Sequence, residues 1–167
     1  MTIEMMKKPR NLWPDELKIL AVDDEQDIVN LIRFSLEPAG FRVIRTTKPS
    51  EGLNMAISEQ PDLLLLDIMM PEFDGFELLR RIRRHPGMSD VPVIVVSARA
   101  STTDRLRMLQ LSEVEADKID AYLGKPFDPA VLLRTVKDVL VKHKDYLVTR
   151  HSGVAKPWDG NQVAAYH

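Results

Sequence analysis

The chain has 167 residues, of which 44% are hydrophobic and 29% charged, which suits one α/β domain with a short surplus. The net charge of −2 gives no overall attraction to nucleic acid or to an anionic membrane. The absence of cysteine excludes disulfides, thiolate metal sites and cysteine nucleophiles. Because the sequence shows neither a secretory signal nor an apolar run of about 20 residues, we expect a cytoplasmic protein without membrane insertion.

The first part of the chain predicts an arm followed by alternating strands and helices. Residues 1–16 mix Met, Lys, Pro and Asn without a period and are predicted to form an N-terminal arm. Lys18–Val22 is a short apolar run that ends in acidic residues, as is typical of a buried parallel strand. A helix is predicted next and stops at Gly40. Phe41–Arg45 is the second predicted strand, and Ser50 is the predicted N-cap of the second helix.

The same alternation continues to the end of the domain. Further strands are predicted at Asp62–Leu66, Val93–Val96 and Ala121–Leu123. A loop at Pro71–Gly75 leads into a helix over Phe76–Arg84, Leu106 and Leu109 indicate a fourth helix, and Asp128 caps a fifth. Five strands alternating with five helices predict an α/β fold with a doubly wound five-stranded parallel sheet. In such sheets the functional crevice lies at the carboxyl ends of the strands.

Three regions follow from these elements: an arm at 1–16, a domain at 17–143, and a C-terminal tail at 144–167. The tail is too short to build the core of a DNA-binding domain. Its glycines and Pro157 predict partial flexibility, whereas Trp158 is costly to leave in water and is a candidate contact residue.

Polar side chains follow four of the predicted strands. Asp23 and Asp24 end the first strand, Asp67 the third, Ser97 the fourth and Lys125 the fifth. Each Asp alone is more often a turn or cap residue, but their joint placement predicts a site. Three crowded carboxylates favour a hard divalent cation such as Mg²⁺. An ammonium and a hydroxyl beside it complement a phosphoryl group, and an Asp can form an acyl phosphate.

Four motifs carry a resemblance to a known family. They are ILAVDDE at 19–25, LLLLDIMMPEFDGFELL at 63–79, VIVVSA at 93–98 and YLGKPF at 122–127. Each is weak alone, but as an ordered set the sequence resembles the response-regulator receiver family, of the chemotaxis-protein and OmpR/PhoB type. The resemblance covers roughly Lys18 to His143. It implies a flavodoxin-like (βα)5 fold and a signalling phosphoacceptor of two-component systems that is not an enzyme and has only self-phosphorylation and autodephosphorylation chemistry.

The resemblance also implies a role for each site residue. Asp67 accepts a phosphoryl group from a partner kinase, Ser97 and Lys125 contact phosphoryl oxygens, and Tyr122 is the switch aromatic. The implied Mg²⁺ ligands are Asp23, Asp24, Asp67 and the backbone carbonyl of Met69. The implied partners are a histidine kinase or phosphotransfer protein and a downstream protein. A homodimer through the fourth helix, fifth strand and fifth helix is a further expectation, and no direct contact with nucleic acid is expected.

Some features depart from this pattern or tune it. The resemblance implies a cis Lys125–Pro126 bond. Met69 and Arg99 occupy the two positions that tune dephosphorylation, which predicts a long-lived phosphoaspartate. The region 111–120 is longer than expected and lacks the usual Gly-Ala-Asp, so we expect it to affect partner choice. Four arginines on the third helix (Arg80, Arg81, Arg83 and Arg84) are interpreted as a solvated face in preference to a docking face.

The leading interpretation is a stand-alone receiver whose changed face binds another protein, and three other functions stay open at this point. One is a receiver cut from a longer transcriptional regulator. Another is a haloacid-dehalogenase-type phosphatase, which needs a second acid two residues after its nucleophile, where this chain has Met69. The third is a degenerate receiver that is never phosphorylated, against which all five site residues are intact.

Overall fold

The computed structural model of the protein describes residues 16–71, 73–98 and 119–152, and the structural statements below concern these residues. Its strands are β1 Lys18–Val22, β2 Arg42–Thr46, β3 Leu63–Leu66, β4 Met69–Met70, β5 Phe73–Asp74, β6 Val93–Ser97 and β7 Ala121–Gly124. Five of them form one parallel sheet in the order β2-β1-β3-β6-β7, which confirms the predicted doubly wound topology. The two-residue strands β4 and β5 pair separately as an antiparallel hairpin.

Five α-helices lie in the described part of the chain. They are α1 Gln26–Leu36, α2 Pro49–Glu59, α3 Gly75–Arg84, α4 Pro129–Lys142 and α5 Lys144–His151. The helix predicted around Leu106 and Leu109 lies outside the described residues, so α4 corresponds to the fifth predicted helix. None of the helices in the described ranges is long and apolar enough to cross a membrane.

The sheet is apolar on both faces because alternate residues of each strand point to opposite sides. Ile19, Leu63 and Leu65 pack with residues of α1 and α4 in one buried cluster. Leu64 and Leu66 pack with residues of α2 and α3 in a second cluster on the other face. This explains why β3 is the unbroken run LLLL, with all four side chains buried.

Two local predictions were wrong. Ser50 is not the N-cap of α2: Lys48 is, and Pro49 takes the first helical position, where the fixed φ of proline suits the helix. The segment predicted as a loop at 71–75 contains β5 and the first residue of α3. Asp74 caps α3 there, its side chain accepting a hydrogen bond from the Phe76 amide at 2.8 Å. The predicted stop at Gly40 is confirmed, with a left-handed φ of 94° after a 3₁₀ turn.

The C-terminal helix α5 was not predicted. It follows α4 after a single residue, His143, and its Leu147 is fully buried in the cluster that contains α1 and α4. The chain therefore turns at His143 and continues in contact with the domain.

Candidate functional site

Asp23 and Asp67 lie side by side at the carboxyl edge of the sheet. β1 and β3 are parallel neighbours with Val22 opposite Leu66, so the residue after each strand reaches the same level. The Asp67 amide donates to the Val22 carbonyl at 2.9 Å and extends this pairing by one residue. Both side chains are almost completely buried, with 1% of Asp23 and 3% of Asp67 exposed. The register of two neighbouring strands thus places two carboxylates in one buried space.

Lys125 reaches the same two carboxylates from the end of β7, an edge strand of the sheet. Its amide donates to the Ser97 carbonyl at 2.9 Å, which continues the pairing of β7 with β6. Its Nζ lies 2.7 Å from Asp23 Oδ2 and 3.0 Å from Asp67 Oδ2. The Lys125–Pro126 bond is cis, as the resemblance implied.

Glu25 is a third carboxylate in contact with this ammonium. Its Oε1 lies 2.9 Å from Lys125 Nζ, while its backbone amide donates to Asp23 Oδ1 at 2.9 Å. Unlike the two aspartates, its side chain is 60% exposed. The site prediction omitted Glu25, although its place directly after two acids at a strand end was a usable signal.

Burial and mutual contact shift the pKa values of Asp23 and Lys125. Burial raises the pKa of Asp23 to about 6 and the Asp67 charge adds to this, while hydrogen bonds from Lys125 and the Glu25 amide oppose it. For Lys125 burial lowers the pKa, but hydrogen bonds to Asp23, Glu25 and Asp67 outweigh burial and hold the pKa above its usual range. The ammonium therefore stays charged, and the carboxylates around it remain in excess.

The excess of carboxylates suits a divalent cation. Asp23, Asp24, Glu25 and Asp67 each offer an oxygen, and these oxygens all lie within 4.8 Å of one another. Oxygen-only donors with two exposed members match Mg²⁺, which keeps several waters. The buried Asp23, whose pKa is raised, is a charge that a bound cation would stabilise. The residues present thus fit the implied metal.

A hydrogen bond to the Asp67 side chain holds the segment that follows it. The Met69 amide donates to Asp67 Oδ1 at 2.8 Å, and Met69 begins the short β4–β5 hairpin. This hydrogen bond brings the Met69 backbone, the source of the implied carbonyl ligand, next to Asp67. It also fixes one carboxylate oxygen while Lys125 contacts the other.

Gly75 allows α3 to begin against this segment. A Cβ atom at Gly75 would lie 2.4 Å from the Asp67 carbonyl oxygen and 2.6 Å from the Ile68 Cα. Because both neighbours are backbone atoms, a side chain there would displace the Asp67 backbone. The Asp-Gly pair at 74–75 thus has two structural reasons: a helix cap, and room for the backbone that carries Asp67.

Ser97 and Tyr122, two further predicted residues, lie on the neighbouring strands β6 and β7. Ser97 ends β6 and is buried. Tyr122 lies on β7 opposite Val95 and packs, half-buried, against the cluster that contains α2 and α3. Arg99 and most of the lengthened region 111–120 lie outside the described residues, as does Trp158.

Three of the four arginines of α3 make contacts within the domain. Arg80 and Arg81 pair with Glu77, and Arg80 also lies 3.5 Å from Asp74. Arg83 donates to the carbonyls that close the loop after α3, at Ser89 and Val91. These contacts favour the interpretation of a solvated, internally paired face.

Comparison with known proteins is consistent with this geometry. A protein-family model described as a response regulator receiver domain matches residues 19–137. The chain is 37% identical over 123 residues to the alkaline phosphatase synthesis transcriptional regulatory protein PhoP of Bacillus subtilis, covering 74% of this chain and 48% of PhoP. It is 38% identical over 122 residues to an uncharacterized 14.6 kDa protein in the sodA1 3′ region of Leptolyngbya boryana, covering 73% and 88% respectively.

Solved structures agree. The chemotaxis response regulator CheY4 of Vibrio cholerae is similar with a TM-score of 0.66 and 29% identity, over 75% of this chain and 99% of CheY4. The chain spans about half the length of several transcriptional regulators that it matches, PhoP among them.

Proposed function

The chain belongs to the response regulator receiver domain family of two-component systems, and on that premise we propose that it accepts a phosphoryl group on Asp67 from a partner histidine kinase, with Mg²⁺ bound. The observation that carries the proposal is the setting of Asp67. Its buried carboxylate contacts the Lys125 ammonium and belongs to a group of four carboxylates that suits a divalent cation.

The chemistry is a transfer between two side chains. An oxygen of Asp67 attacks the phosphorus of a phosphohistidine, the P–N bond breaks, and the imidazole leaves with its electron pair. Mg²⁺, held by Asp23, Asp24, Asp67 and the Met69 carbonyl, would neutralise charge on the phosphoryl oxygens. Lys125 contacts Asp67 Oδ2 and lies within reach of a phosphoryl group on that side chain, so it can pair with a phosphoryl oxygen after transfer.

The signal then has to reach a surface. We propose that Ser97 follows the phosphoryl group and that Tyr122 turns inward, which changes the face read by a downstream protein. Met69, exposed at 44% beside Asp67, would hinder an attacking water and prolong the phosphoaspartate. A phosphoryl lifetime of seconds on the purified protein with Mg²⁺ would contradict this last point.

Incubation with Mg²⁺ and a small phosphodonor such as acetyl phosphate tests the central proposal by intact mass. We expect one phosphoryl group on the wild type and none on Asp67→Asn. The matched control is Asp138→Asn, an exposed aspartate of α4 that is expected to be modified like the wild type. An unmodified wild type, or a modified Asp67→Asn, refutes Asp67 as the acceptor.

A second candidate is favoured by the matches to transcriptional regulators about twice as long. In that case this unit is the receiver of a DNA-binding regulator, and its output is the arrangement of another domain. The length of the encoded chain, read from the gene, distinguishes the two candidates. The family match favours both over a haloacid-dehalogenase-type phosphatase.

A further inference from the structure

Lys125 is fully engaged by three carboxylates that differ in mobility. An ammonium has three N–H donors, and Nζ lies within 3.0 Å of Asp23, Glu25 and Asp67. The lysine side chain is only 8% exposed, and the two aspartates are more deeply buried. Glu25 is 60% exposed, so it is the member that can move without rearranging the core.

Cation binding conflicts with this arrangement. The carboxylates of Asp23 and Asp67 that contact Lys125 belong to the same acidic group that would take Mg²⁺. An ammonium and a divalent cation on the same buried carboxylates repel strongly because little water screens them. Lys125 therefore has to withdraw from at least one aspartate when the cation enters. A buried ammonium without a partner would be costly, so it needs another carboxylate.

We propose that Glu25 is a positioning residue that receives the Lys125 ammonium when Mg²⁺ binds. Glu25 already contacts Nζ, and its exposed side chain can follow the ammonium away from the aspartates. The cation can then enter without leaving Lys125 unpaired, and Lys125 stays within reach of an incoming phosphoryl group. This inference rests on the proposed Mg²⁺ dependence.

The test is a double-mutant cycle on the full chain, with the Mg²⁺ dissociation constant measured by isothermal calorimetry at neutral pH and fixed ionic strength. Glu25→Gln is expected to weaken Mg²⁺ binding about tenfold, in the range of outer-shell substitutions. Asp27→Asn removes the same charge from the first turn of α1, outside the three carboxylates on Lys125, and is expected to weaken binding by less than about threefold. Lys125→Met is expected to tighten binding, because it removes the competing ammonium.

The decisive variant combines both changes. In the Lys125→Met background, Glu25→Gln is expected to change the dissociation constant by less than about threefold, because Glu25 acts through Lys125. The same tenfold loss in both backgrounds would show that Glu25 ligates or attracts the cation directly, and would overturn the proposal. Glu25→Gln no stronger than Asp27→Asn would overturn it as well.

A shortened acid provides a test that does not depend on the folding of Lys125→Met. Glu25→Asp keeps the charge but withdraws the carboxylate by one methylene, so we expect it to weaken Mg²⁺ binding more than Asp27→Asn does. Wild-type affinity in Glu25→Asp overturns the role of Glu25. If the wild type does not bind Mg²⁺, the proposed metal dependence is overturned together with this role. If the wild type binds Mg²⁺ and Glu25→Gln weakens binding equally in both backgrounds, only the role of Glu25 is overturned.

Discussion

Two buried aspartates flank the same strand, β3, and their surroundings differ. Asp62 precedes the strand and is 1% exposed: Oδ2 accepts from the Lys18 amide at 2.9 Å, and Oδ1 contacts His151 at 2.7 Å and Arg150 at 3.4 Å. Asp67 follows the strand and shares the Lys125 ammonium with two other carboxylates. One edge gives its acid a guanidinium and an imidazole, whereas the other gives three carboxylates a single ammonium.

A second aspartate, Asp120, lies at the amino edge of the sheet, where the strands begin, and has partners like those of Asp62. Asp120 Oδ2 accepts from the Val93 amide at 2.8 Å, and Oδ1 contacts His143. Each acid there binds the first amide of a strand and a histidine at the end of α4 or α5. We therefore expect the acids whose partners come from α4 and α5 to stabilise the fold, whereas at the carboxyl edge the carboxylates outnumber the ammonium and their excess charge is available for a ligand.

Removal of α5 is expected to destabilise the protein most. Deleting residues 144–167 is expected to cost about 4 kcal/mol of unfolding free energy relative to deleting 153–167 alone. It exposes the contacts of the fully buried Leu147 and removes Arg150, which donates to the Gln60 and Gly87 carbonyls and faces Asp62. Urea unfolding of both truncated chains measures the difference. Equal stabilities would show that α5 contributes nothing to the amino edge.

Asp62→Asn makes the next largest change. It leaves Arg150 and His151 facing a neutral group in a buried space, so we expect a loss of about 3 kcal/mol at neutral pH. Asp138→Asn, on the exposed face of α4, serves as the control and should stay within about 0.5 kcal/mol of the wild type. If Asp62→Asn is as stable as the control, the amino edge is not held by charge.

The contrast between the edges also explains what the sequence could reveal. Apolar runs ending in polar residues identified the strands of the sheet, and their parallel order predicted that Asp23, Asp67 and Lys125 would meet. That inference needs only local periodicity and one topological rule. The unbroken LLLL of β3 is the pattern expected of a strand that is buried on both faces, and all four side chains are buried.

The amino edge and the role of Glu25 could not be predicted in this way. Helix α5 has one fully buried side chain, Leu147, and its other anchors are contacts with residues 63 to 90 positions away. Its place after two acids at a strand end could have put Glu25 near the site, but its contact with Lys125 spans 100 positions. Such contacts arise from tertiary packing and leave no periodic pattern in the sequence.

At the carboxyl edge the same substitution should have the opposite sign. Because the pKa of Asp23 rises from 3.8 to about 6 on folding, the folded protein binds more protons than the unfolded chain in that range, and stability falls as pH rises through it. Asp23→Asn, which resembles the protonated form, is therefore expected to be about 2 kcal/mol more stable than the wild type at neutral pH.

Urea unfolding with EDTA at several pH values between about 4 and 7 tests this sign. The wild type should lose stability relative to Asp23→Asn across the window, and the two should converge at its acid end. Asp62→Asn, at the amino edge, is unfolded under the same conditions for comparison. A destabilised Asp23→Asn at neutral pH would mean that the Lys125 pair outweighs burial at Asp23.

Asp120 is expected to contribute least to stability, and the sign of its contribution depends on the partners of its carboxylate and not on how deeply it is buried. The Asp120 side chain is 19% exposed and His143 is 28% exposed, so solvent screens their interaction. Asp120→Asn should lose about 1 kcal/mol of unfolding free energy. The Asn side-chain oxygen can still accept from the Val93 amide, but the charge facing His143 is gone. His143→Gln should lose a similar amount, and the double variant should lose no more than either one, because both changes remove the same contact. A gain in stability on Asp120→Asn would place this acid with Asp23, and partner supply would then not be what separates the two edges.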